Sequence, residues 1–80
     1  MIIHIRAFGI AKEICKHSQV EVELNQHDTI RSLKTILENK YPMLKELGTY
    51  MIAVNNDYGE DGTILNATDE VAIIPPVSGG

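Results

Sequence analysis

Two short stretches near the start of the chain alternate strictly between apolar and polar residues. In Ile2–Phe8 (IIHIRAF), Ile3, Ile5 and Ala7 share one face while His4 and Arg6 share the other. That period of two is the mark of a strand with one buried face. In Val20–Leu24 (VEVEL), apolar and acidic residues alternate without a fault, which predicts a half-buried strand with a wet outer face. Between them, GIAKEICKHS sets Ile10, Ile14 and Cys15 at helical spacing and predicts a short helix. Joined by a connection of modest length, the two strands are expected to pair as a hairpin.

The period then changes to that of a helix. Asp28 or Thr29 supplies an N-cap, and Ile30, Leu33, Ile36 and Leu37 form one apolar stripe. The helix should end near Tyr41, because a proline at position 42 pushes the preceding residue out of the α region. MLKELG predicts one more turn, closed by Gly48. Tyr50–Asn56 reads as a third strand, ending where Asn55-Asn56-Asp57 favours a turn. YGEDGTILNATD reads as loop with room for a short strand. Glu70–Ile74 is the last strand, and Pro75 closes it because proline cannot donate to a ladder. The order strand, strand, helix, strand, short strand, strand predicts an α+β two-layer domain. Its mixed sheet of four to five strands is covered on one face by one main amphipathic helix.

Composition narrows the function. Eighty residues make one domain with a small core and little room for a deep pocket, which points away from a self-contained enzyme. The net charge of -4, from 11 acidic and 7 basic residues, opposes nucleic-acid binding. Neither a basic leader nor a long apolar run occurs, so no signal peptide or membrane span is predicted. A single cysteine excludes an internal disulfide framework, and a cytoplasmic, reducing location is expected. His4, His17 and His27 have no metal-ligand spacing among themselves or with Cys15, so surface histidines and no metal are expected. Cys15, beside Ile14, reads as a small core residue. Lys12 and Glu13 read as a solvated face. Phe8, the sole phenylalanine, is by default a core residue.

The chain finishes on PPVSGG. Residues 1–76 read as the folded domain and 77–80 as a flexible diglycine tail. Two prolines stiffen the exit from the last strand. Four extended residues reach ~13 Å, and the six from Pro75 reach ~20 Å. Gly79 and Gly80 make the tip thin enough to thread a channel that any Cβ would block. The one reactive group at that tip is the Gly80 α-carboxylate, a poor acyl donor until ATP activates it as an acyl-adenylate. A stiff base, a thin tip and a terminal carboxylate suit a protein whose own C-terminus is a substrate.

DEVAIIPPVSGG resembles the ending of molybdopterin synthase small subunits (MoaD), and the order of elements resembles the β-grasp, ubiquitin-like fold. The likeness extends through FGIAKEI and IAVNND, although Ala67-Thr68-Asp69 stands where that family often has a Gly-Asp turn. The resemblance implies that an adenylating, MoeB-like activating enzyme uses ATP on the Gly80 carboxylate and that a sulfur donor converts it to a thiocarboxylate. It further implies that the tail enters the active site of a MoaE-like large subunit in a heterotetramer. There it gives its sulfur to cyclic pyranopterin monophosphate. The catalytic groups would lie in the partner, with no cofactor bound by this chain. Phe8, Tyr58 and Ile74 would form an apolar patch meeting the large subunit and the activating enzyme, continued by Pro75, Pro76, Val77 and Ser78. A thiamine-pathway carrier (ThiS) and a ubiquitin-like modifier share the fold and the diglycine, and both remain open on the residues alone.

Overall fold

The computed structural model describes residues 1–76. Strand β1 (Ile2–Ala7) runs into helix α1 (Gly9–Cys15), and strand β2 (Gln19–Glu23) returns alongside β1. Helix α2 (Ile30–Lys40) and the single turn α3 (Met43–Glu46) follow, then β3 (Met51–Val54), β4 (Asp57–Tyr58) and β5 (Val71–Ile74). The sheet order is β2-β1-β5-β3-β4. β1 and β2 are antiparallel, so the expected pairing holds, with α1 as part of the connection. β5 enters between β1 and β3, parallel to the first and antiparallel to the second. The two strands farthest apart in sequence therefore sit together at the centre, a placement that local periodicity does not encode.

Each alternation settles one face. Ile3, Ile5 and Ala7 are buried, as are Val20 and Val22, while the residues between them are exposed. Against this inner face packs the stripe of α2, with Ile30, Leu33 and Leu37 sealed and Ile36 half-buried. Thr29 caps α2, its Oγ1 accepting from the Ser32 N–H at 3.4 Å, and Tyr41 ends it as predicted. Tyr50 is buried just before β3, and its hydroxyl donates to the Glu38 carboxylate at 2.7 Å, so the polar tip is satisfied.

The first helix departs from its expected packing. Ala11 and Cys15, four residues apart, are its buried pair, whereas Ile10 is 43% exposed and Ile14 half-buried. A helix of about two turns touches the body along one line only, and Ile10 falls off that line. The third strand is shorter than expected at both ends. Asn55 and Asn56 both take positive φ, 53° and 72°, forming a two-residue primed turn between Val54 and its partner Asp57.

Candidate functional site

The exposed face of the sheet is the candidate site. Residues 4, 6, 72 and 74 alternate outward on β1 and β5, opposite the buried set. Cross-strand pairing places Ala72 beside Arg6 on one side and beside Ala53 on the other, and Ala53 beside Tyr58. The result is a shallow groove floored by Ala53 and Ala72. Tyr58 walls it on the β4 side, His4, Arg6 and Gln19 on the β1–β2 side, with Phe8 and Ile74 at the end where the chain leaves. Phe8, Tyr58 and Ile74, predicted to share a patch, thus line one groove.

Phe8 is not a core residue. It is 47% exposed because β1 stops at Ala7, the last inward position, and the next residue is turned outward. It also begins α1 with extended dihedrals, its carbonyl accepting from the Ala11 N–H at 3.0 Å. Tyr58 is 66% exposed on the two-residue edge strand β4. Ile74 is half-buried and lies opposite Met51, which is 45% exposed and enlarges the apolar area. Sequence reasoning missed Met51, together with the alanine floor and Arg6. The signal was available: on antiparallel neighbours, residues in register with an outward one also face outward.

At the exit of β5, Pro75 is half-buried and Pro76 exposed. Gly9 stands directly against Pro75: with a φ of +54°, a Cβ built there would lie 3.3 Å from the proline Cγ. Glycine therefore serves two needs at once, a left-handed backbone and a close seat for the base of the tail. Val77, Ser78, Gly79 and Gly80 lie outside the described residues.

The other candidates fall on the body. Cys15 is buried, and burial pushes its thiol above the ordinary 9.0, with Lys40 a smaller opposing influence. A thiol held protonated is a poor nucleophile, in keeping with the core reading. His4, His17 and His27 are all exposed. His4 Nδ1 lies 3.2 Å from the Gln19 amide nitrogen and 3.5 Å from Glu21. Among the described residues, no group of three His, Cys, Asp or Glu side chains is placed to hold a metal ion. Lys12 and Glu13 are exposed. No helix among the described residues is long and apolar enough to cross a membrane.

The turn before β5 does without glycine. The Asp69 carboxylate accepts from the Asn66 N–H at 2.8 Å and from the Asn55 side-chain amide at 2.9 Å. Asn55 in turn accepts from the Glu70 N–H at 2.9 Å, tying this turn to the β3–β4 hairpin. Side-chain hydrogen bonds replace the backbone freedom that a Gly-Asp turn would use.

A model described as the ThiS family matches residues 5–80. The chain is 34% identical over 80 residues to the molybdopterin synthase sulfur carrier subunit of Mycobacterium tuberculosis, covering 98% of this chain and 96% of that protein. The crystal structure of SAMP1 from Haloferax volcanii superposes with a TM-score of 0.86 at 22% identity, covering both chains completely. That likeness establishes the ubiquitin-like β-grasp fold. A chain of the protein–protein complex of subunits 1 and 2 of molybdopterin-converting factor from Helicobacter pylori matches with a TM-score of 0.69 and 28% identity, over the whole of both chains.

Proposed function

The chain belongs to the ThiS family, and from that membership we propose that it is the sulfur-carrier small subunit of a molybdopterin synthase. The observation that carries this reading is the likeness to a named molybdopterin synthase sulfur carrier subunit, which spans nearly the whole of both chains. The Helicobacter complex supports a large subunit as the partner. The exposed groove carries Phe8, Tyr58 and Ile74 among polar neighbours, a mixed surface of the kind partners cover.

The chemistry is acyl transfer followed by sulfur transfer. A Gly80 carboxylate oxygen attacks the α-phosphorus of ATP in a MoeB-like activating enzyme, and pyrophosphate leaves. Sulfide, HS⁻, then attacks the acyl carbon of the adenylate, expels AMP and, on losing its proton, leaves a thiocarboxylate. In the large-subunit site the thiocarboxylate sulfur bonds to a side-chain carbon of cyclic pyranopterin monophosphate as the oxygen substituent on that carbon leaves. Water then cleaves the acyl–sulfur bond, returning the Gly80 carboxylate and leaving the sulfur on the pterin. Two such deliveries supply the two dithiolene sulfurs. The carrier contributes the terminus and its placement; ATP is bound by the activating enzyme, the catalytic groups belong to the large subunit, and the assembly is a cytoplasmic heterotetramer. The names of the relatives favour this pathway over a thiamine-pathway carrier, and the modifier-like structures share only the fold.

Reconstitution tests the proposal. The carrier is combined with activating enzyme, ATP, a sulfur source, the large subunit of the same organism and cyclic pyranopterin monophosphate. Molybdopterin should form in proportion to carrier. Sulfur loading without molybdopterin formation, but with thiazole synthesis when thiamine-pathway enzymes are supplied, would assign the carrier to that pathway instead.

A further inference from the structure

The groove is graded along its length. At the end where the chain leaves stand Phe8 and Ile74, with Met51 paired beside Ile74; at the other end, just before the last strand begins, stands Glu70. Charge is distributed unevenly in the chain as well. All 7 basic residues precede position 46, and every charged residue after Lys45 is acidic.

Two acidic residues line that far end, and they differ. The Asp69 carboxylate is occupied, both oxygens accepting bonds inside the turn. Glu70 is fixed by its backbone alone: its N–H donates to Asn55 Oδ1 at 2.9 Å and its carbonyl accepts from the Asn55 N–H at 2.8 Å. Among the described residues its carboxylate has neither a hydrogen bond nor an ion pair, and it is exposed beside the groove. A rigidly mounted, uncommitted carboxylate thus borders a floor of two alanines and the ring of Tyr58. Arg6 and His4 occupy the opposite wall, so an incoming cation is favoured on the Tyr58 side.

We propose that Glu70 is the ionic anchor for an arginine or lysine of the docked large subunit. The aliphatic stem of that residue lies over Ala53 and Ala72 against Tyr58, and its charged head meets the Glu70 carboxylate. Glu70 and Ile74 are four positions apart along extended chain, so the partner presents its cation ~13 Å from its apolar socket. The inference rests on the large subunit being the partner. Two unlike anchors this far apart stop the domain from rotating on a single apolar contact, and so fix the direction in which the tail leaves.

The test is stopped-flow and equilibrium binding of the full-length carrier to the large subunit between low and high salt. The variants are Glu70→Gln, Glu70→Lys and Phe8→Ala, with folding followed by circular dichroism. A charge beside an interface acts mainly on association and its salt dependence, whereas a buried aromatic acts on dissociation. Glu70→Lys should slow association roughly tenfold at low salt, with Glu70→Gln between it and the unaltered chain, and both should flatten the salt dependence. Phe8→Ala should speed dissociation and leave the salt dependence as it was. If Phe8→Ala weakens binding while both Glu70 variants keep the original salt dependence, the anchor is wrong and the sulfur-carrier reading stands. If the unaltered chain does not bind the large subunit at all, the reading fails and takes the anchor with it.

Discussion

The inner and outer faces of this one sheet carry similar apolar residues to opposite ends. On the inner face Ile3, Ile5, Ile52, Val71 and Ile73 are sealed beneath α2. On the outer face Phe8, Met51 and Tyr58 stand exposed, although Met51 shares β3 with Ile52, Phe8 follows β1 directly and Tyr58 lies on the neighbouring edge strand. Burial within the chain turns apolar area into stability, while the apolar area left exposed is, on the function proposed above, held for a partner. The difference arises from a shift of one residue: β1 alternates inward at 3, 5 and 7, so position 8 is released outward. A single sheet is therefore a folding device on one side and, on the function proposed above, a docking device on the other.

The largest effect is expected at residues 79 and 80, which lie outside the described residues. One extra residue after Gly80 moves the carboxylate by ~3.3–3.6 Å. Gly79→Val adds a β-branched side chain to the tip. Both variants should fold and dock normally yet lose sulfur transfer by roughly 10²-fold or more, because misplacement by about 1 Å already costs that much. Loss of docking in either would place the tail in the interface energetics and blur the division between body and tip.

Truncating the inner face comes next. Leu33→Ala should cost about 2–5 kcal/mol, a large share of the ~4–12 kcal/mol expected for a domain of this length. Denaturant titration reads this directly, and the fraction still folded should bind the large subunit with unchanged affinity. On the outer face the pattern should reverse. Phe8→Ala and Ile74→Ala should each weaken binding by about 2 kcal/mol or more, while Phe8→Ala leaves the denaturation midpoint nearly unmoved. A Phe8→Ala chain that unfolds early but binds normally would return Phe8 to the core.

Gly9→Ala sharpens the boundary between body and tail. The left-handed φ should cost about 1 kcal/mol of stability, and the new Cβ would press on Pro75. Combining it with Pro75→Ala should restore part of any lost transfer rate but none of the lost stability. Additive losses in the double variant would show that Gly9 serves the backbone alone.

The smallest effect is one of pH. Cys15 and Tyr50 both hold their protons more tightly in the folded chain than the ordinary values of 9.0 and 10.0, chiefly through burial and, for Tyr50, its bond to Glu38. The unfolded chain therefore releases these protons first. The stabilisation is complete below about pH 9 and falls as pH rises beyond it. Denaturation midpoints from pH 8 to pH 11 should decline, and less steeply in Cys15→Ser.

Much of this was legible in the sequence. IIHIRAF and VEVEL announce their faces because one side of each is wet, and Ile30, Leu33 and Leu37 announce α2 for the same reason. The Asn55-Asn56 turn follows from the tolerance of asparagine for positive φ. The limits are physical as well. Phe8 sits one residue past a strand end, where a boundary error reverses the face. Ile10 matches a helical spacing that a helix of seven residues does not use. The central position of β5 and the bonds of Asn55 to Asp69 and Glu70 join residues distant in sequence, and no local pattern records them.

The claim on which the account turns is that the terminus, not the thiol, carries the sulfur. The direct measurement is the mass of the C-terminal peptide and of the peptide containing Cys15, after incubation with activating enzyme, ATP and a sulfur source. The account predicts an oxygen-for-sulfur gain on Gly80, kept in Cys15→Ser and lost when Gly80 is deleted. Sulfur found on Cys15, abolished by Cys15→Ser and still present in a chain lacking Gly80, would contradict it.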